Sequence, residues 1–306
     1  MTKQIYLTFT IDTEPDSSGD SWKYRTPLSF RAVEEGIGKV LTPLFEKYGA
    51  RPTYLINNVV MNHEKSVAVL RSLKNCELGA HLHPEFIEPE CWHNDPGGHD
   101  GKCNLCFLKP ETEAAKIHSI TRLFHETFGY APRSFRAGRW SARGNTTKIL
   151  SELGYTADTS VTAGIRGMDS TRILPVDYRF APRQPYHPST NNICRKGKLS
   201  VWEIPVTVCG YFPFRRRWLR PAEYCTPDLV AVAKKFICQN FYREHIFLNC
   251  MFHDIDFMPD LGPHCKDEAK QKFFLSELER LLKFAQETGI KMKTLSETAE
   301  ICGDTK

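Results

Sequence analysis

Gln4-Ile5-Tyr6-Leu7-Thr8-Phe9-Thr10-Ile11-Asp12-Thr13-Glu14, near the start of the chain, sets the pattern for the rest of the molecule. The β-prone run from Gln4 to Asp12 reads as a strand, and it ends in two carboxylates. Side chains alternate along a strand, so Asp12 and Glu14 share one side if the strand continues that far. Two acids at that spacing suit one as a base and one as a metal ligand.

Working outward, a helix is expected over 33–48, a strand over 52–56, a helix over 64–74 and a strand over 77–83. The helix expected over 111–128 carries Ala114, Ile117, Ile120, Leu123 and Phe124 at helical spacing. Strands over 133–136 and 155–157 flank a helix over 145–153. Segments 201–208, 245–252 and 291–295 read as strands, separated by helices over 227–241 and 267–288. This alternation predicts an α/β protein with a mainly parallel sheet and helices outside it, open or closed into a barrel. The alternation has no break, so residues 1–306 are expected to form one domain. The patternless stretch at about 86–109 is expected to be a long excursion or a small insertion near the site.

The 306 residues are 41% apolar and 25% charged, a globular composition. The formal charge of +5 and pI near 8.6 fit ordinary surface charge better than a dedicated anionic partner. No apolar run approaches a membrane span, and the N-terminus lacks a signal-peptide pattern. With eleven scattered cysteines, this predicts a cytoplasmic protein with reduced thiols. There is no glycine-rich phosphate loop and no nucleic-acid motif.

Three further polar clusters sit where strands end. His81-Leu82-His83-Pro84-Glu85 offers a His-x-His pair. Pro84 biases His83 toward extended geometry, so the two imidazoles share a side and can chelate a divalent ion such as Zn²⁺, with Glu85 open as a competing ligand or as a partner for an imidazole N–H. Arg136-Ala137-Gly138-Arg139-Trp140 combines guanidinium forks with an aromatic face for a sugar ring or a pocket wall. Asn249-Cys250-Met251-Phe252-His253-Asp254-Ile255-Asp256 ends an apolar strand in a histidine suited to general-acid work.

These clusters, in this order, resemble the motifs of NodB-like polysaccharide deacetylases, carbohydrate esterase family four. The resemblance runs from Thr8 to His253. The RxGRW segment, with Arg179-Phe180-Ala181-Pro182, Pro185-Tyr186 and Glu203-Ile204-Pro205-Val206-Thr207, is similar to a branch associated with surface-glycan genes. The resemblance implies a distorted parallel (β/α) barrel of about seven strands. It implies Asp12 as catalytic base, Arg136 as the group that orients it, and His253 as general acid. Glu14 and His81 match metal-binding positions, with one divalent ion expected, Zn²⁺ or another transition metal. Arg139 and Trp140 are expected to bind substrate, an N-acylated sugar or sugar conjugate, the backbone N–H of Arg139 helping to hold an oxyanion. Two departures stand out. The family's second histidine falls four residues after the first, where this chain has Glu85; its extra histidine is His83. The paired acids of the first motif are stretched to Asp-x-Glu.

The expected function is therefore metal-dependent removal of an N-acyl group from a sugar in surface-glycan assembly. Amide hydrolysis on a small non-sugar substrate and a non-catalytic metal- or glycan-binding barrel are the alternatives. Two weaker signals remain. Cys103 and Cys106, with Cys91, His93 and His99, have the makings of a small zinc knuckle. Phe212 to Arg220 mixes aromatics with four arginines and is expected to be a loop near solvent or substrate, able to touch an anionic lipid head group or a nucleotide diphosphate.

Overall fold

The computed structural model describes residues 3–19, 22–91, 103–166, 168–169, 172–173, 176–211, 215–221 and 228–304. In chain order, β1 (Gln4–Thr13), β2 (Thr53–Asn57), β3 (Glu77–Leu82), β4 (Ser134–Ala137) and β5 (Ala157–Asp158) lie side by side and parallel. Two small hairpins come next, β6–β7 (Met168–Asp169, Arg172–Ile173) and β8–β9 (Pro188–Ser189, Asn192–Lys196). β10 (Trp202–Glu203) then extends the sheet beyond β5. A third hairpin, β11 (Val208–Tyr211) with β12 (Arg215–Trp218), precedes β13 (His245–His253), which pairs along the other side of β1. β14 (Lys291–Met292) pairs with the start of β1. The sheet order is thus β10-β5-β4-β3-β2-β1-β13, the expected parallel barrel type.

The two ends of this sheet approach each other without a full ladder. The N–H of Thr207 donates to the Asn249 carbonyl at 3.1 Å, and that of Met251 to the Leu219 carbonyl at 3.1 Å. Lower down, the Gln184 side-chain amide bonds both the N–H (2.9 Å) and the carbonyl (3.1 Å) of Phe247. One side chain and two irregular strand fragments therefore satisfy edge groups of β13 that would otherwise be buried unpaired. The barrel is closed on this side by patches, which is what makes it distorted.

Helices cover the outside: α1 (Thr42–Lys47), α2 (Asn58–Met61), α3 (Glu64–Ser72), α4 (Pro110–Phe128), α5 (Gly144–Glu152), α6 (Leu229–Gln239), α7 (Glu268–Glu287) and α8 (Leu295–Asp304). Leu7, Phe9 and Ile11 of β1 are buried in the main apolar core, Phe9 against Phe45 of α1 at 5.3 Å between rings. Thr8 and Thr10 carry the opposite phase and bond Thr298 and Asn249 (2.9 and 2.8 Å). Strands of parallel sheets usually read as continuous apolar runs. The alternation in β1 reflects an interior filled with polar groups.

Three sequence expectations are corrected. The helix expected over 33–48 begins as a π-helix, Ala32–Leu41, and turns α-helical only from Thr42. Pro43 lacks the N–H needed to continue a hydrogen-bonded ladder there. Of the strand expected over 201–208, only Trp202 and Glu203 join the main sheet, and Val208 pairs instead with Trp218 in the β11–β12 hairpin. Pro205 cannot donate, and the chain leaves to build β11. The arginine-rich loop expected over 212–220 is a strand at Arg215–Trp218. Of the stretch 86–109, residues 92–102 lie outside the described residues. Its start is pinned by Lys116 of α4, whose buried ammonium donates to the carbonyls of Pro84, Ile87 and Glu90 at 2.8, 2.6 and 3.1 Å. No described helix is long and apolar enough to cross a membrane.

Candidate active site

Strand register brings the polar clusters to one rim. Asp12 lies beside His253, Asn57 beside His81, and His81 beside Arg136 on neighbouring strands. Each sits at the C-terminal end of its strand, where parallel α/β folds carry their chemistry.

Asp12 is buried, and its two oxygens have different surroundings. Oδ1 accepts from Arg136 Nη1 at 2.5 Å. Arg136, 1% exposed, is itself fixed by donating to the Thr159 carbonyl (3.0 Å) and the Thr10 hydroxyl (2.6 Å). Oδ2 faces inward, 3.6 Å from His253 Nε2 and 3.9 Å from His81 Nε2. Burial opposes the charge on Asp12, but Arg136, then His81 and His253, outweigh it and hold the carboxyl below its ordinary range. The result is an ionised carboxylate with one oxygen clamped and the other aimed between two imidazoles.

Glu14 gathers the histidines. Its Oε1 lies 3.0 Å from His81 Nε2 and 3.3 Å from His83 Nε2; its Oε2 accepts from the Tyr24 hydroxyl at 2.8 Å. Burial opposes its charge too, yet His83 and His81 hold it well below the usual carboxylate range. His81 Nδ1 is 3.0 Å from the Arg136 carbonyl, which can only accept, so Nδ1 carries a proton and Nε2 faces inward. Facing Glu14 Oε1 at 3.0 Å, Nε2 either donates a proton to the carboxylate or, unprotonated, shares a cation with it.

His83 has the same orientation by different means. Pro84–Phe86 forms a 3-10 turn, so the segment is not extended through Glu85, and Glu85 does not align with His81 and His83. It approaches His83 from behind, Oε1 to Nδ1 at 3.6 Å, and pairs with Arg139. Arg139 Nη1 donates to the Cys103 carbonyl at 3.0 Å and lies 3.0 Å from His83 Nδ1. Burial works against a proton on His83, but Glu14 and Glu85 raise it to about 9. Glu85 is lowered to about 2, burial again being outweighed by His83 and Arg139. The pocket favours positive charge at this imidazole.

The ligand atoms of Glu14, His81 and His83 lie within 4.8 Å of one another, and so do those of Asp12, Glu14 and His253. Two imidazoles and a carboxylate are a common donor set for a catalytic divalent ion, and the inward Nε2 of His81 fits it. Gly138 makes room for the site: a Cβ there would meet the His83 ring at 2.8 Å. Gly138→Ala is expected to cost about 1–3 kcal/mol of stability through overpacking and to weaken metal binding by displacing that ring. Thermal melts with and without added metal check this; an unchanged melting temperature and affinity would contradict it.

His253 is held by groups that the sequence reading did not assign. Asp256 accepts from the His253 backbone N–H (2.9 Å) and from Arg220 Nε and Nη2 (3.1 and 2.6 Å). Arg220 Nη2 also reaches His253 Nδ1 at 3.0 Å. Trp22 covers the ring, 4.6 Å between centroids. Burial opposes the charge on Asp256, but Arg220 and His253 keep it far below the ordinary range. Asp256 had a local signal, a carboxylate three residues after His253. Arg220 lay in the arginine-rich segment 212–220 without a stated partner, and Trp22 and Tyr24 had no signal, because tertiary folding alone brings them in.

Trp140, half-buried, stands over Arg136 (5.2 Å) and against Trp218 (5.6 Å between rings). Arg139, expected at the substrate, directs its guanidinium behind His83, with 35% of its side chain exposed at the rim. Asp158 lies beneath the site rather than lining it. It pairs across strands with Glu203; burial raises Asp158 to about 6 against the opposing hydrogen bond from Glu203, while burial and then the nearby Asp158 raise Glu203 well above the usual range. Of the zinc knuckle, His93 and His99 lie outside the described residues; among the described residues, Cys103 and Cys106 join no ligand cluster.

No family model matches the chain, and no curated protein does. Solved structures do. One from Parabacteroides distasonis, described as a glycoside hydrolase/deacetylase, aligns with a TM-score of 0.68 at 13% identity over 100% of this chain and 72% of its own. The PuuE allantoinase aligns at 0.61 with 14% identity, over 97% of this chain and 90% of its own. A protein from Mycobacterium smegmatis described as a polysaccharide deacetylase aligns at 0.54 with 14% identity, over 100% and 92%. At such identities the likeness concerns the backbone, and it agrees with the sheet order and rim described above: the chain has the fold of the NodB-like polysaccharide deacetylases.

Proposed function

We propose that this protein is a metal-dependent hydrolase that removes an N-acyl group, acetyl in the first instance, from a sugar of a surface-glycan pathway. The observation that carries this reading is the asymmetry of Asp12: Oδ1 clamped by Arg136 and Oδ2 facing His81 and His253. Glu14, His81 and His83 would hold the ion, Zn²⁺ by donor type. When bound, it supplies Lewis acidity toward a water and the acyl carbonyl. Asp12 Oδ2 takes the proton of that water as the oxygen bonds to the acyl carbon. Arg136 keeps the carboxylate ionised and oriented. His253 Nε2, on the other side of Asp12, delivers a proton to the nitrogen as the C–N bond breaks, so that acid and amine leave. Asp256 and Arg220 orient His253. Trp140 offers a face to the sugar ring, and the exposed edge of Arg139 lies beside it.

A purely binding barrel has no use for a bare buried carboxylate oxygen between two imidazoles. The same dyad would also open a small cyclic amide, and the likeness to an allantoinase keeps that second reading in view. The Trp140–Trp218 shelf favours a ring with an apolar face, hence a sugar. Purified protein loaded with Zn²⁺ is expected to release acetate from N-acetylated saccharides and to leave allantoin intact; the reverse would overturn the sugar assignment.

His253→Ala is expected to slow amide hydrolysis by about a hundredfold or more while sparing an activated aryl acetate, whose leaving group needs no proton. Comparing the two substrates checks this, and equal loss on both would remove the general-acid role.

A further inference from the structure

Glu14 is as asymmetric as Asp12, and the cause lies on the connection between β1 and the π-helix at Ala32–Leu41. Its Oε1 faces three imidazoles: His81 Nε2 at 3.0 Å, His83 Nε2 at 3.3 Å and His253 Nε2 at 3.9 Å. Its Oε2 instead meets the Tyr24 hydroxyl at 2.8 Å. The backbone around Tyr24 is itself tied down. Ser17 and Tyr24 pair as an antiparallel bridge, Ser18 N–H donates to the Lys23 carbonyl at 2.8 Å, and Arg25 N–H donates to the Asp16 carbonyl at 3.0 Å. Ser17 N–H fastens the whole turn to the Leu261 carbonyl at 2.9 Å.

A neighbour fixes the direction of the Tyr24 proton. Asn57, at the end of β2, caps α2: its Oδ1 accepts the Val59 backbone N–H at 2.8 Å. That N–H can only donate, so the other end of the amide, Nδ2, faces the Tyr24 oxygen at 3.4 Å. The phenol oxygen therefore accepts from Asn57 and gives its own proton to Glu14 Oε2. The ring is held too, stacked on Phe86 at 4.9 Å between centroids and 25° between planes. Phe86 belongs to the turn after His83: its N–H donates to the His83 carbonyl at 3.2 Å, and its carbonyl accepts from the Asn58 amide at 2.6 Å. Tyr24 thus ties Glu14 of the β1 end to the ends of β2 and β3.

This tether has a chemical consequence. A glutamate carboxylate turns easily about its last torsion. Untethered, Glu14 would bring both oxygens onto one divalent ion, and the second would fill a position that a catalytic site keeps for water and substrate. A donor held on Oε2 opposes that rotation, because the oxygen would have to give up a hydrogen bond to its charge, one of the stronger kind. Oε1 is left as the oxygen offered to the ion, on the side where the imidazoles converge.

We propose that Tyr24 is a positioning residue that confines Glu14 to one-oxygen coordination and so keeps two positions of the bound ion open for water and the acyl carbonyl. The proposal rests on the metal-site reading. Its test uses the full chain loaded with Co²⁺, whose visible absorption reports ligand binding without turnover. Two probes are titrated: acetohydroxamate, which needs two adjacent positions, and azide, which needs one. Tyr24→Phe removes only the hydroxyl and keeps the ring on Phe86. It is expected to retain Co²⁺, to weaken acetohydroxamate binding about tenfold or more and azide binding much less, and to lower kcat on an N-acetylated saccharide about ten- to hundredfold. Phe86→Leu, which loosens the ring but keeps the hydroxyl, should bind both probes as the wild type does. Equal acetohydroxamate affinity in wild type and Tyr24→Phe overturns the proposal and leaves the metal site standing. Equal weakening of both probes also overturns it, since Tyr24 would then be a general support of the ion. The Tyr24→Phe pattern in Phe86→Leu overturns it in favour of loop packing. Wild-type protein that takes up no Co²⁺ overturns the metal-site reading itself, and this proposal with it.

Discussion

Asp12→Asn is expected to lower turnover by at least about a hundredfold while the metal content stays that of the wild type. The substitution keeps the shape of the side chain and removes only its ability to take a proton. Arg136 then loses its ionic partner at 2.5 Å, and an unpaired buried guanidinium would be costly. It retains the Thr10 hydroxyl and the Thr159 carbonyl, so the fold survives with a lower melting temperature. Single-turnover rates alongside metal analysis separate the effects: a near wild-type rate removes Asp12 from its role, whereas a dead, metal-free protein would make it a ligand instead.

The second large effect concerns the metal. His83→Ala should weaken binding well beyond the roughly ten- to hundredfold expected of a supporting group, whereas Glu85→Gln should stay within that range. His83 Nε2 faces Glu14 at 3.3 Å, while Glu85 stands behind His83 and against Arg139. Competition with a chelator measures both. If Glu85→Gln strips the protein and His83→Ala keeps its ion, Glu85 is the ligand, as the family's four-residue spacing implies.

The fold and the candidate site were unequally legible in the sequence. The alternation of Thr8, Thr10 and Asp12 with Leu7, Phe9 and Ile11 already carries the division between a polar interior and an apolar exterior. Regular α/β spacing accounts for β1 to β5 and β13. Where the barrel closes by irregular means, the pattern fails: Gln184 acting as a piece of strand has no periodicity, and Pro205 breaks a segment that otherwise reads as continuous. At the rim, residues on strand ends could be read because strand geometry fixes where they point. His83 was placed by the effect of Pro84 on the residue before it, but that reasoning went one step too far in extending the chain to Glu85, since proline is equally at home in the first turn of a helix. The groups around His253 come from distant segments, and only Asp256 is close to it in sequence.

The most direct test of the account is stepwise reconstitution. Chelator-treated protein, titrated with Zn²⁺, is assayed for acetate release from an N-acetylated saccharide. The account predicts no release without metal, full activity at one ion per chain, and no activity at any metal level in Asp12→Asn that still binds the ion. Acetate release that is undiminished in the metal-free protein, or equal in Asp12→Asn, would contradict it.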